Sequence, residues 1–337
     1  MRRIVYIPVN YERRFLTFLM HGDSGKLELV GENRTKHEPW QVCADPTSQY
    51  LYQQVRDDGY SGITSYKIHP ETADLTQTGQ VDLVAAACYV QTDRTGRFLF
   101  AAGLIPGFVT IYPIEPDGSI GDSLTDHRET ALYAHSIQTD PSNRFAYVPH
   151  VSKTDSIHQF RFDTDTGRLE PGAAPRLATR PEHGPRHFAF HPHLDVAYFN
   201  VEKASGIAVY RLCPDGTLEE LQTLSTLPTG FARTNSTASV RVHPSGGMVY
   251  VSNRGHESIA MFSIDPETGL LSAEGHVPAE ACPRPIGIDP EGAFLYAGSD
   301  ETGKLTSYRI CEDYKLEPLD TYQIGRIVSW ILPLNFD

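Results

Sequence analysis

The sequence is poor in cysteine. Its five cysteines (Cys43, Cys88, Cys213, Cys282 and Cys311) are scattered and odd in number. None forms a C-x-x-C pair, so neither a disulfide framework nor a zinc site is indicated. Long apolar runs are missing too: nothing approaches the roughly 20 residues that a membrane helix needs. The opening MRRIVYIPVNYERR returns to charge at Glu12, Arg13 and Arg14, too early for the apolar core of a secretory signal. A cytoplasmic location is therefore expected. Basic residues are outnumbered, with 29 Lys and Arg against 42 Asp and Glu and a net charge of −13. This balance argues against nucleic acid and anionic membranes as partners. There is no GxSxG elbow, no GxxxxGK[ST] loop and no GxGxxG fingerprint. A Ser or Cys nucleophile is thus unsupported, and no cofactor is expected.

What the chain does have is Gly 27, Pro 24, Tyr 17 and Phe 15, a composition of strands and turns. A repeat of about 48 residues runs through it. Turn anchors stand at Pro46, Arg94, Pro141, Pro192, Pro244 and Pro290, each preceded by Asp or His. Six residues after each comes an aromatic: Tyr52, Phe100, Tyr147, Tyr198, Tyr250 and Tyr296. A second aromatic follows in an alternating stretch such as GIAVYRL or SIAMFSI, the mark of a half-buried strand. A turn such as DPETGLL then leads to a fourth strand. Four antiparallel strands per unit, without helical periodicity between units, predict an all-β propeller. Tyr6 and Phe18 match the second and third strands of a unit that lacks its first. The tail Arg326–Leu332 reads as the missing strand, closing the N-terminal blade and hiding two sheet edges. The expectation is seven blades in a single domain, 1–337, although a length of 337 residues would also suit two average domains.

Propeller geometry brings the start of each first strand and the end of each second strand to one face. Six residues before the anchors lie Trp40, Cys88, His135, Arg186, Ala238 and Arg284. Four residues after the second-strand aromatics lie Arg56, Leu104, Val151, Glu202, Arg254 and Asp300. An acidic chain thus gathers Arg56, Arg186, Arg254 and Arg284 at one predicted mouth, with His135, Glu202, His187 and His256 beside them. Guanidinium groups grip carboxylate and phosphate through paired hydrogen bonds, so a small anionic ligand is the expected partner. His135 is placed to begin a first strand and could act as a general base on water. The segment HGPRHFAFHPH carries four histidines. His187 and His191 would stand about 13 Å apart along a strand, too far to share one metal ion, so no metal site is expected.

AHSIQTDPSNRFAYVP, GPRHFAFHPHLDVAYFNVE, VRVHPSGGMVYVSNRGHESIAMFSIDPETG and CPRPIGIDPEGAFLYAG resemble the seven-bladed propeller lactonases. That family includes the bacterial propeller-type 6-phosphogluconolactonases and the fungal carboxy-cis,cis-muconate cyclases. The resemblance covers essentially the whole chain and is sharpest in GPRHxxFHP and NRGH. It implies a metal-independent enzyme of carbohydrate metabolism whose catalytic residues match His135, Arg186, Glu202 and Arg254. His187, His256, Arg284 and Arg56 are the expected substrate-binding residues. The chain departs from its relatives at Ala87-Cys88-Tyr89 and at Gly103-Leu104-Ile105-Pro106-Gly107, where they often carry polar groups.

The expected reaction is hydrolysis of an anionic sugar lactone, with arginine stabilisation and general-base attack by water. Two alternatives stand beside it. One is a cycloisomerase closing a carboxylated muconate. The other is a non-catalytic binding propeller, against which stand the lack of GH…WD signatures and a tryptophan count of 2. The sequence leaves the oligomeric state open.

Overall fold

The structure, a computed structural model, describes residues 2–336. Among these every regular element is a β-strand, and no helix is long and apolar enough to cross a membrane. The strands form seven four-stranded antiparallel sheets, the blades of an all-β propeller fold. Blades two to seven begin with the strands Glu38–Ala44, Ala87–Thr92, Gln138–Thr139, Pro185–Phe190, Ser236–Val242 and Pro283–Ile288. Each then runs outward in chain order.

Contacts group the chain into two bodies. One holds residues 1–34, 187–212 and 219–337, and the other 35–186 and 213–218. In the first body Val5, Ile7, Leu16 and Phe18 pack with Phe294, Tyr296 and Leu305. In the second Tyr52, Ile63, Val90, Leu99 and Phe108 form one cluster.

The repeat has a structural reason at each of its marked positions. The Asp or His before each anchor caps the turn it opens. Asp140 accepts from the backbone N–H groups of Ser142, Arg144 and Phe145, and from the Ser142 hydroxyl. His191 does the same with Nδ1, which accepts from the N–H groups of His193 and Leu194 at 3.0 and 2.9 Å. Nε2 therefore carries the proton and donates to the Gly246 carbonyl in the next blade. Burial holds this imidazole below its ordinary pKa, which favours the neutral ring. His191 and His193 thus belong to a turn, whereas the buried His187 ring packs edge-on against Trp330.

The aromatic six residues after the anchor is fully buried in every blade from two to seven. Where it is tyrosine, its hydroxyl can reach the outer turn of the following blade. Tyr147 donates to the Gly216 carbonyl, Tyr198 to Gly269, Tyr250 to Tyr314 and Tyr296 to Gly25. Gly216 takes φ +84°, and a Cβ there would lie 2.1–2.6 Å from ring atoms of Phe145. Only glycine fits this turn.

Two expectations need correction. The closing strand is Leu332–Phe336, not Arg326–Leu332. It pairs antiparallel with Arg2–Val9, Ile4 facing Leu334 and Val5 facing Pro333. The apolar residues of the earlier segment serve as core: Val328 and Ile331 join the cluster around Val5 and Val9. Pro333 is tolerated because the strand pairs on one side only. His135 does not begin a strand either. The first strand of blade four is only Gln138–Thr139, and His135 lies in the connector before it, its N–H donating to the Pro149 carbonyl.

Beside that connector the fully buried His150 packs against His158, the rings tilted by 46° with 4.3 Å between centroids. Its Nδ1 faces the Ser156 carbonyl. Burial first, then His158 and Arg176, press its pKa down to about 3. In the unfolded chain it titrates near 6.5. Below that value the unfolded chain gains a proton that the folded one refuses, so stability falls as the pH drops from about 6.5 towards 3. At pH 4.5 this amounts to about 2–3 kcal/mol. Chemical denaturation at pH 7 and 4.5 should show His150→Gln losing less stability on acidification than the parent protein. Equal losses would remove His150 as the cause.

Candidate active site

The first strands share a feature that alternation alone does not reveal. Their register against the second strand breaks between Pro39 and Val42, Ala87 and Tyr89, Thr237 and Val240, and Pro283 and Ile286. Trp40, Cys88, Ala238 and Arg284 all sit in these β-bulges. A bulge turns the strand and re-aims the extra side chain, a common device beside active sites. Four of the six positions read as facing one end of the blades are thus bulge positions.

In the first body, Glu202 follows the strand Val196–Val201 and Arg254 ends the strand Met248–Arg254. The structure brings them together: an Arg254 Nη2 lies 3.0 Å from a Glu202 carboxylate oxygen. The same nitrogen donates to the Thr237 carbonyl at 3.2 Å, and the Thr237 N–H donates to the Glu202 carbonyl. Both side chains are partly exposed, so the pair is fixed but reachable. Arg284 in the next blade pairs with Asp300 at 3.2 Å. The Cys282 thiol lies close enough to feel Arg254, Arg284, Asp300 and Glu257, and burial pushes its pKa up. His256, two residues past Arg254, shares a hydrogen bond between Nδ1 and the Ser258 hydroxyl at 2.7 Å. Its pKa is lowered by burial, then by His276 and Arg233. The His187 N–H donates to Asn200 Oδ1, whose amide group in turn donates to the Thr237 hydroxyl.

In the second body, His135 and Arg186 are both buried. They are linked through the intervening backbone: the Ser136 hydroxyl donates to the Arg186 carbonyl at 2.9 Å. The Cys88 thiol points at the Ala134 and His135 carbonyls, at 3.5 and 3.6 Å. Arg56 lies 3.3 Å from the centre of the Trp40 ring, a cation–π contact that holds the guanidinium flat. Among the described residues no group of three or more His, Cys, Asp or Glu is arranged to hold a metal ion.

Comparison with known proteins shows the family. The profile of the family described as "Lactonase, 7-bladed beta-propeller" matches residues 11–332. The chain belongs to this family. A curated relative from Pectobacterium carotovorum, named 6-phosphogluconolactonase, is 32% identical over 342 residues and covers 100% of both chains. Another of that name, from Yersinia pestis, is 32% identical over 313 residues, 91% of each chain. Among solved structures, the periplasmic gluconolactonase of Pseudomonas aeruginosa superposes with a TM-score of 0.91 over 99% of both chains at 21% identity. That likeness shows the shared fold.

The sequence brings Glu202 and Arg254 to notice but not what seats them. Asn253, next to Arg254, donates to the Thr226 carbonyl and accepts from the Thr226 hydroxyl and the Asn235 amide. It was also silent on Phe231 and Arg233, which lie in the same connector. The usable signal was length: residues 226–235 separate Ser225 from Ser236, whereas only 279–282 separate Pro278 from Pro283.

Proposed function

We propose that this lactonase hydrolyses an anionic sugar lactone of the 6-phosphogluconolactone type. The observation that carries the reading is the Glu202–Arg254 pair, which stands at two positions assigned by the family resemblance. Full-length relatives named 6-phosphogluconolactonase support the substrate class.

The family resemblance assigns four residues to the reaction, and the chemistry of each suits its role. His135 takes a proton from water as its oxygen adds to the lactone carbonyl carbon. Negative charge then builds on the carbonyl oxygen. Arginine donors, Arg254 and Arg186, stabilise that charge more than they stabilise the neutral ester. As the tetrahedral intermediate collapses, the ring C–O bond breaks and the ring oxygen takes the proton back from His135. The product is an open hydroxy acid, which ionises. Glu202 fixes the Arg254 guanidinium in position, and its negative charge keeps that arginine from binding the product carboxylate too tightly.

The test is direct. Purified protein at about micromolar concentration should accelerate the opening of freshly made 6-phosphogluconolactone well above the buffer rate, followed by acid release. A rate indistinguishable from buffer would sink the reading.

A further inference from the structure

Residues 226–235 lead into the strand Ser236–Val242, beside Glu202 and Arg254, and the NRGH segment is the seat that holds them. Asn253 binds both ends of the loop, Thr226 at one end and Asn235 at the other. Gly255, at φ +118°, lets the loop approach: a Cβ there would stand 2.2 Å from the Thr234 carbonyl oxygen. The His256 N–H donates to Asn235 Oδ1 at 2.9 Å, and the His256 ring meets the edge of Phe231 at 4.8 Å. From the other side, Ser205, three residues past Glu202, donates its hydroxyl to the Asn235 carbonyl. Such a loop is a built element tied to the ion pair.

At its outer edge the Arg233 guanidinium lies 5.2 Å from the centre of the Phe231 ring. Arg233 is exposed and makes no ion pair with any described residue. Two other arginines of the same body differ. The charge of Arg254 is matched by Glu202 and that of Arg284 by Asp300. The depressed pKa of His256 reports the positive field that Arg233 and the nearby His276 add to its burial. A cation left unmatched where two others are matched is the group with charge to spare for a ligand.

We propose that Arg233 recognises the phosphate or carboxylate substituent of the lactone, with Phe231 and His256 supporting it. The reading rests on lactone hydrolysis as the activity. It divides the labour of the arginines: Arg254, held by its carboxylate, serves the reacting carbonyl, and Arg233 serves the remote anionic group.

The test compares 6-phosphogluconolactone with the uncharged glucono-1,5-lactone. In Arg233→Gln the ratio of kcat/KM for the phosphorylated over the neutral lactone should fall by about tenfold or more, mostly through KM. Arg233→Lys should recover part of it, since charge remains and the fork is lost. An unchanged ratio overturns the proposal. A second arm needs no turnover. Calorimetric binding of 6-phosphogluconate should weaken by about tenfold in Arg233→Gln, with an unchanged melting temperature showing that the fold is intact. If the parent protein hydrolyses neither lactone, the hydrolase reading fails while this arm still decides the role of Arg233. Equal binding by parent and variant, or none by either, overturns that role.

Discussion

Arg254→Ala is expected to lower kcat/KM for 6-phosphogluconolactone by about a thousandfold. Removing one pre-placed donor to a developing oxyanion typically costs about 10²–10³ in rate. Here the loss is compounded, because the variant leaves the Glu202 carboxylate without the guanidinium it holds at 3.0 Å. An unpaired negative charge beside the anionic substrate repels it. The stability penalty should be modest, about 1–2 kcal/mol, since water reaches both partners and screens them. Denaturation curves therefore separate misfolding from lost chemistry. Arg254→Lys keeps the charge but not the planar guanidinium, whose Nη2 meets both Glu202 and the Thr237 carbonyl. It should recover less than a tenth of the activity. If Arg254→Ala keeps more than a tenth of the parent kcat/KM, Arg254 does not stabilise the transition state.

The second large effect is expected at His135. General-base catalysis contributes about 10²–10⁴ in rate, and His135→Ala should lose a factor in that range in kcat with little change in KM. The residual rate carries a signature. Without the imidazole, hydroxide itself must attack, so the variant's background-corrected rate should rise about tenfold for each pH unit. A variant as active as the parent, or one whose rate ignores pH, assigns the proton transfer to another group. The substitution also removes side-chain volume at a buried position. His135→Gln, which fills more of that space, should show the same kinetic loss if the loss is chemical.

Much of the fold could be read from the chain because its markers have repeating jobs. A capped turn needs an acceptor at one place, so Asp45, Asp93, Asp140 and Asp289 recur, and His191 and His243 substitute through Nδ1. A buried tyrosine that must reach the next blade's turn recurs at a fixed offset for the same reason. The closing strand was placed too early because Ile327, Val328 and Ile331 have the look of a strand, yet Val328 and Ile331 fill the core instead. Bulges escaped notice because a register break is a relation between two strands, invisible in the alternation of either. The approach of Glu202 to Arg254 followed from the repeat. The loop carrying Arg233 did not, because its structure comes from ties to Asn253 and Ser205, distant in sequence and without periodicity.

The pairing of Leu332–Phe336 with Arg2–Val9 also orders events during synthesis. The strand Arg2–Val9 leaves the ribosome long before Leu332–Phe336 and must wait for that strand before it gains its second partner. Until then one edge of the first sheet stays open, offering unpaired N–H and C=O groups to any passing chain. The blades in the middle of the sequence face no such delay, since all four strands of each are contiguous. The nascent protein is therefore most open to mispairing at Arg2–Val9, and that exposure ends only when Leu332–Phe336 docks.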